Sequence, residues 1–190
     1  MIKMADYNDS IMGILQVEAG YSNDVDDSGG ETIGGISRNN WPHWEGWNVV
    51  DGLKTSSGFP KILMFSVELR KHILEFYKEN FWDKVGGDKI VDGKIAYELM
   101  DTAVNQGIKN ALRDVQRSLN LLNNQGKFGE DIEVDGFIGK ETIDAINSYP
   151  FPWAISSSIN GFQFNRYVAI TEKNPSQEKF FRGWLTRIKL

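Results

Sequence analysis

The chain has 190 residues, a net charge of −5 and no cysteine. Its length fits one domain or two small, closely joined ones. The lack of cysteine excludes a disulfide scaffold, thiol catalysis and a cysteine-built zinc site, and two histidines disfavour a multi-histidine metal site. The negative charge argues against a general nucleic-acid binder.

The acidic residues are concentrated near the start of the chain. Residues 1–60 contain three basic and nine acidic residues, a net charge of −6, whereas the remainder comes to +1. Five of the nine acids lie between Glu18 and Glu31.

The hydrophobic pattern predicts a mainly α chain with a small β-hairpin or glycine-rich loop near residues 21–36. A first helix is expected to begin at Asp9 or Ser10, as its N-cap, and to end at Ala19. Further helices are predicted over residues 62–82, 94–106, 108–122, 141–146, 155–170 and 177–188. The tryptophan-rich stretch between the first two helices is predicted to be irregular because Pro42 and Gly46 interrupt it.

Two carboxylates near the first helix are candidates for acid–base chemistry. Glu18 follows Ile14 and Leu15 on the apolar face of that helix, where burial would raise its pKa and suit it to donate a proton. The alternative is that fraying of the helix end turns Glu18 out to solvent. Asp27 lies on the loop that follows this helix. The alternative to a catalytic role is that Asp27 belongs to an ordinary solvated turn, which the many turn-forming residues of the loop favour. Two carboxylates in different environments are typical of glycosidic bond cleavage.

A calcium loop is a competing interpretation of the same segment. Asp24, Asp26, Ser28 and Gly29 match the first positions of an EF-hand loop, but Gly35 stands where the loop requires a bidentate glutamate. The sequence therefore predicts no metal site here.

Trp41, Trp44 and Trp47 lie within seven residues of one another. Flat indole rings suit stacking on sugars, although core packing is the commoner fate of a tryptophan. The stretch Val134–Thr142 is predicted to be a glycine turn leading into a helix, in which Asp135 binds backbone amides.

Several motifs together resemble glycoside hydrolase family 108, the lysozyme-like N-acetylmuramidases of phage endolysins and their bacterial relatives, some of which are labelled secretion activator proteins. The first motif is Glu18-x-Gly20-Tyr21-x-Asn23-Asp24-x-x-Asp27-x-Gly29-Gly30-x-Thr32. Later motifs resemble the family's predicted peptidoglycan-binding region: Asp101-x-x-Val104-Asn105-x-Gly107, Asp135-Gly136-x-x-Gly139 and Phe181-x-Gly183-Trp184-x-x-Arg187.

The resemblance implies a lysozyme-like helical fold that hydrolyses the β-1,4 bond between N-acetylmuramic acid and N-acetylglucosamine without a cofactor or metal. Glu18 would be the general acid, Asp27 would stabilise the transition state or position the attacking water, and Thr32 would orient that water. Retention or inversion of configuration depends on the carboxyl separation. The expected substrate-binding residues are Tyr21, Trp41, Trp44, Trp47 and Asn105.

The expected organisation is a catalytic region at residues 1–93 and a peptidoglycan-binding region at residues 94–190, packed as one globular unit. The expected partners are peptidoglycan glycan strands, with no nucleic acid, and the chain is expected to be a monomer. No apolar run is long enough for a membrane span and no signal peptide is recognised, so we expect synthesis in the cytoplasm and action on the cell wall or periplasm after release. The alternative is a non-catalytic peptidoglycan-binding or secretion-regulating protein.

Overall fold

The structure is a computed structural model that describes residues 4–18, 20–23 and 30–188, without the side chains of residues 16–18. The predicted mainly α fold with a small sheet is confirmed. Within the described residues the helices are α1 (Tyr7–Glu18), α2 (Gly46–Leu53), α3 (Val67–Tyr77), α4 (Gly93–Gln106), α5 (Ile108–Leu122), α6 (Lys140–Ser148), α7 (Pro152–Lys173) and α8 (Glu178–Trp184). The strands are β1 (Tyr21–Ser22), β2 (Thr32–Ile33) and β3 (Ile36–Ser37).

The chain forms two compact units. The short unit is Ile11–Asn80, and the long unit is Met1–Ser10 together with Phe81–Leu190. The expected division at residue 93 stays a prediction. Among the described helices, none has the length and apolar character needed to cross a membrane.

Helix α1 begins earlier than the sequence predicted. The carboxylate of Asp6 accepts a hydrogen bond from the backbone N–H of Asn8 at 2.7 Å, which makes Asp6 the N-cap instead of Asp9 or Ser10. Ser10 lies inside the helix and is buried, as are Ile11 and Ile14. The apolar face predicted for α1 is therefore largely confirmed.

The glycine-rich segment forms a three-stranded antiparallel sheet in the order β1-β2-β3. Gly34 and Gly35 connect β2 to β3 with φ of 55° and 76°, and positive φ at both central residues defines a hairpin turn that glycine adopts without strain. The buried hydroxyl of Tyr77 in α3 donates a hydrogen bond of 2.8 Å to the carbonyl of Gly34. This contact fastens the hairpin to α3.

The long helix predicted over residues 62–82 is interrupted. Lys61–Phe65 forms a 3₁₀ helix, α3 follows, and Lys78–Trp82 forms a π-helical turn. Ser66 separates the first two because its extended backbone allows its hydroxyl to accept from the N–H of Leu69 at 3.1 Å. Local capping thus overrides continuous helical periodicity.

In the long unit, α4, α5 and α7 pack against one another. Their contact is made by buried apolar side chains, which include Ile95, Leu99, Met100, Leu112, Val115, Ile155 and Ile159. Helix α7 starts at Pro152, in the first turn, where the missing N–H of proline costs no hydrogen bond.

The turn before α6 is organised around Gln116 of α5. Its side-chain amide donates to Asp135 at 2.8 Å and accepts from the N–H of Gly136 at 2.9 Å. Asp135 also accepts from the N–H of Phe137 at 2.8 Å, which confirms the predicted backbone-binding role of this aspartate. The turn is therefore a structural feature of the long unit.

Candidate active site

The described residues include the backbone of Glu18 but not Asp27. The backbone of Glu18 is the last residue of α1, while its side chain and the whole of Asp27 lie outside the described residues. The candidate calcium ligands Asp24, Asp26 and Ser28 also lie outside them. Within the described part of the chain, no group of acidic and histidine side chains is arranged to hold a metal ion.

Thr32 lies on the middle strand of the sheet. It faces Ser22 of β1 on one side and Ser37 of β3 on the other. Its hydroxyl donates a hydrogen bond of 3.2 Å to the carbonyl of Gly30. β1 begins three residues after Glu18, so its pairing with β2 connects the end of α1 to Thr32 through a short stretch of chain.

The carboxylate of Glu31 fixes the start of β2. Glu31 is 8% exposed, and it forms ion pairs of 2.8 Å with Arg38 and 3.0 Å with Lys54. The hydroxyl of Tyr21 in β1 donates to the same carboxylate at 2.8 Å. The residue immediately before Thr32 is thus held by three partners.

Asp51 of α2 completes this charge network. It pairs with Arg38 and Lys54, each at 2.7 Å. The hydrogen bonds from Arg38 and then from Lys54 lower the pKa of Asp51 from 3.8 to about 2. Burial, followed by the hydrogen bond to Glu31, raises the pKa of Tyr21. The network ties β1, β2 and α2 together within the short unit.

The three predicted tryptophans form one aromatic cluster with Phe76 of α3. The ring of Trp41 meets Phe76 edge-on at 4.8 Å, and that of Trp44 meets Trp47 at 5.2 Å. Trp47 is 3% exposed, and its indole N–H donates to the carbonyl of Trp41 at 2.8 Å, whereas Trp41 is 41% exposed. Trp47 therefore supports the cluster, and Trp41 presents its ring to solvent.

A polar cavity of about 360 Å³, which we call the tryptophan cavity, opens beside this cluster. It is lined by His43, Trp44, Glu45, His72, Glu75, Phe76, Glu79 and Asn80. An adjoining pocket extends it to Asn40, Trp41 and Pro42. Aromatic rings beside carboxylates and an amide offer both stacking and hydrogen bonding to a sugar.

A second cavity, which we call the apolar groove, has a volume of about 450 Å³. It begins at Leu15, Gly20 and Tyr21, and its walls include Ile33, Leu63, Met64, Leu69 and Ile73, with Lys61 and Arg70 as its basic residues. The sequence analysis did not find this groove, because its lining comes from α1, the sheet, the 3₁₀ helix and α3 together.

Asn105 lies in α4 and belongs to the long unit, whereas Tyr21, Thr32 and the three tryptophans belong to the short unit. Its side-chain oxygen accepts from the hydroxyl of Tyr167 at 2.8 Å. Burial raises the pKa of that hydroxyl to about 12. The Tyr167 ring stacks on Trp184 at 5.2 Å, so Asn105 contributes to the packing of α4 with the C-terminal helices.

The sequence analysis counted Glu31 among the clustered acids and did not identify its partners. The sequence did contain a usable signal. Residues 1–60 are acidic overall and have three basic residues, Lys3, Arg38 and Lys54. Scarce cations in such a segment are expected to pair with its most buried carboxylate.

Comparison with known proteins agrees with the predicted family. The model of the family described as glycosyl hydrolase 108 matches residues 11–107, and that of a predicted peptidoglycan domain matches residues 110–189. The chain belongs to glycosyl hydrolase family 108. The solved structure of Brucella abortus SagA is similar in fold, with a TM-score of 0.57 and 21% identity, over 96% of this chain and 88% of that one. No curated protein matches the sequence.

Proposed function

We propose that the chain is an N-acetylmuramidase that hydrolyses the β-1,4 bond between N-acetylmuramic acid and N-acetylglucosamine in peptidoglycan. Glu18 would donate a proton to the leaving oxygen, and Asp27 would stabilise the developing positive charge or position the attacking water. Thr32 would orient that water. The family match over residues 11–107 supports glycoside hydrolysis as the reaction class. The match over residues 110–189 supports peptidoglycan as the polymer that is hydrolysed.

The pairing of β1 with β2 is the observation that carries this proposal. Ser22 faces Thr32, and directly opposed residues of antiparallel strands have Cα atoms about 4.5–5.5 Å apart. Ser22 is four residues beyond Glu18, and four residues span at most about 13–14 Å, so the pairing limits how far the backbone of Thr32 can lie from the end of α1. The Glu31 network holds β2 in that register.

The aromatic residues suit the binding of a glycan strand. We propose that Trp41 and Trp44 stack on sugar rings, that Trp47 holds them in place, and that Tyr21 borders the reaction site. We also propose Asn105, in the proposed peptidoglycan-binding region, as a substrate-binding residue. We retain residues 1–93 as the proposed catalytic region and residues 94–190 as the proposed peptidoglycan-binding region, in an endolysin-like protein that acts on the cell wall.

Purified cell-wall sacculi provide the direct test. The wild type should release new reducing ends, and Glu18→Gln should lower the rate by about 10²–10⁴-fold because it cannot donate the proton. Asp144→Asn, an exposed change in α6, is the matched control and should retain the wild-type rate. Equal release by the wild type and Glu18→Gln would contradict the role of Glu18.

A second candidate function is non-catalytic binding of peptidoglycan, favoured by the match of a predicted peptidoglycan domain to residues 110–189. Such a protein would sediment with sacculi and release no reducing ends. Turnover by the wild type at any rate above that of Glu18→Gln would exclude it.

A further inference from the structure

We propose that the apolar groove binds the peptide stem of peptidoglycan, the short chain of alanines and carboxylate-bearing residues attached to N-acetylmuramic acid. The inference rests on the proposed function for its choice of ligand. It adds a second binding surface to the glycan site, with a different chemistry.

The size and lining of the groove suit a short peptide. A volume of about 450 Å³ falls within the range of roughly 300–1,000 Å³ that is usual for small-ligand sites. Its walls include the apolar side chains of Ile33, Leu63 and Ile73. These side chains can pack against the methyl groups of alanine residues.

The charge of the groove selects a ligand with carboxylates. The short unit is acidic, and three of its other basic residues have carboxylate partners: Arg38 and Lys54 pair with Glu31, and Lys71 pairs with Glu75 at 3.6 Å. Among the described residues, Lys61 and Arg70 have no carboxylate within ion-pairing distance, and the guanidinium of Arg70 donates to the sulfur of Met12 at 3.9 Å. Two cations at an apolar groove complement an apolar peptide with carboxylates.

The location of the groove, next to the end of α1 in the sequence, also suits the peptide stem. The groove begins at Gly20 and Tyr21, two and three residues beyond Glu18. The stem leaves the sugar whose bond would be cleaved, so a glycan held at the end of α1 can place its stem there. The tryptophan cavity contains Glu45, Glu75 and Glu79 and would repel the carboxylates of the stem. The two surfaces therefore divide the substrate between them, glycan to one and peptide to the other.

Calorimetric titration of the full chain with the soluble tetrapeptide L-Ala-γ-D-Glu-diaminopimelate-D-Ala tests the proposal without requiring catalysis. The wild type should bind, and Arg70→Gln should raise the Kd about tenfold or more through loss of a charge-assisted hydrogen bond. Lys61→Gln with Arg70→Gln should raise it further. Lys71→Gln, the adjacent lysine of α3 outside the groove, should leave the Kd unchanged. A wild type that fails to bind at millimolar peptide, or an Arg70→Gln protein with unchanged Kd, would overturn the proposal.

Turnover of intact sacculi and of glycan stripped of its stems separates the two proposals. Peptide binding that depends on Arg70, without turnover of either substrate, would support the groove and contradict the muramidase. Turnover of both substrates with equal KM, without peptide binding, would support the muramidase and overturn the groove assignment. Co-sedimentation with anionic phospholipid vesicles that is lost in Arg70→Gln, without peptide binding, would assign the groove to lipid and also overturn the proposal.

Discussion

At the scale of single residues, Glu31 holds the strand that carries Thr32 through three side-chain partners. It is a nearly buried carboxylate with two cations and a tyrosine hydroxyl as partners, and Thr32 is the next residue. A buried charge is tolerated when it is paired and hydrogen-bonded, and removal of its charge leaves the partners partly unsatisfied. The acidic segment therefore contains one carboxylate whose role is structural.

We predict that Glu31→Gln lowers the free energy of unfolding by about 1–3 kcal/mol, because the ion pairs with Arg38 and Lys54 are lost. Urea denaturation followed by circular dichroism would measure this. Asp144→Asn removes the exposed ion pair with Lys140 and serves as the control, with an expected loss below about 0.5 kcal/mol. Equal losses in the two variants would contradict the special role of Glu31.

The lowered pKa of Asp51 predicts that the stability of the protein depends on pH. Its folded-state pKa of about 2 lies below its ordinary value of 3.8, so it adds stability above pH 3.8 that is lost as the pH falls toward 2. The wild type should be more stable than Asp51→Asn at pH 5, and the difference should shrink between pH 4 and pH 2. The effect should be small because Asp51 is 47% exposed. A difference that grows as the pH falls would contradict this assignment.

At the scale of elements, two glycines in the long unit illustrate opposite requirements. Gly136 has φ of 79°, and a Cβ built there would lie 2.8 Å from Cγ of Lys109 and 3.1 Å from its carbonyl oxygen. Gly161 lies in the interior of α7 with open space around its Cα. The first position requires glycine and the second does not.

We therefore predict that Gly136→Ala destabilises the protein by more than about 1 kcal/mol, because both backbone strain and a close contact oppose the methyl group. Gly161→Ala should stabilise it by about 0.5–1 kcal/mol, since alanine is the better helix former. Thermal unfolding of the two variants in parallel is the measurement. A destabilised Gly161→Ala together with a neutral Gly136→Ala would contradict the backbone assignments.

The sequence predicted some elements closely and missed others for identifiable reasons. Helix α5 was predicted with the observed bounds because its apolar periodicity is strong and Gly107 ends the preceding helix. Helix α2 was missed because Gly46 was interpreted as a breaker, and α7, which was predicted from residue 155, begins three residues earlier at Pro152. Periodicity alone does not show which proline or glycine falls in a first turn.

At the scale of the whole molecule, a buried ion pair connects the C-terminal segment to the middle of the chain. Arg187 pairs with Asp101 of α4 at 2.9 Å, and the two side chains are 9% and 2% exposed. Gln163 of α7 donates to the same carboxylate at 3.2 Å. Two motifs that resembled the peptidoglycan-binding region thus meet in the fold, where their visible role is structural.

Loss of this pair should loosen the end of the chain. Arg187→Met leaves the Asp101 carboxylate buried without its cation and is predicted to lower the free energy of unfolding by about 3–5 kcal/mol. Hydrogen exchange should increase first over residues 178–187. The double variant Asp101→Asn with Arg187→Met should recover part of the loss, and a double variant less stable than Arg187→Met would contradict the pairing.

The candidate site was predictable in its residue types more than in its surroundings. Spacing and resemblance selected Glu18, Asp27 and Thr32, and the nearness of three tryptophans in the sequence selected them as candidates for sugar binding. The burial of Trp47 and the apolar groove depend on contacts between residues distant in sequence, such as Trp47 with Arg38 at 4.3 Å. Those contacts arise from packing that a local pattern does not encode.

Mass spectrometry of borohydride-reduced sacculus digests tests the central claim most directly. A muramidase produces fragments whose new reducing ends are N-acetylmuramic acid, so the wild-type digest should contain N-acetylmuramitol ends, and the Glu18→Gln digest should contain about 10²–10⁴-fold fewer after equal times. Ends of N-acetylglucosaminitol, or cleaved peptide bonds without new reducing ends, would contradict the account.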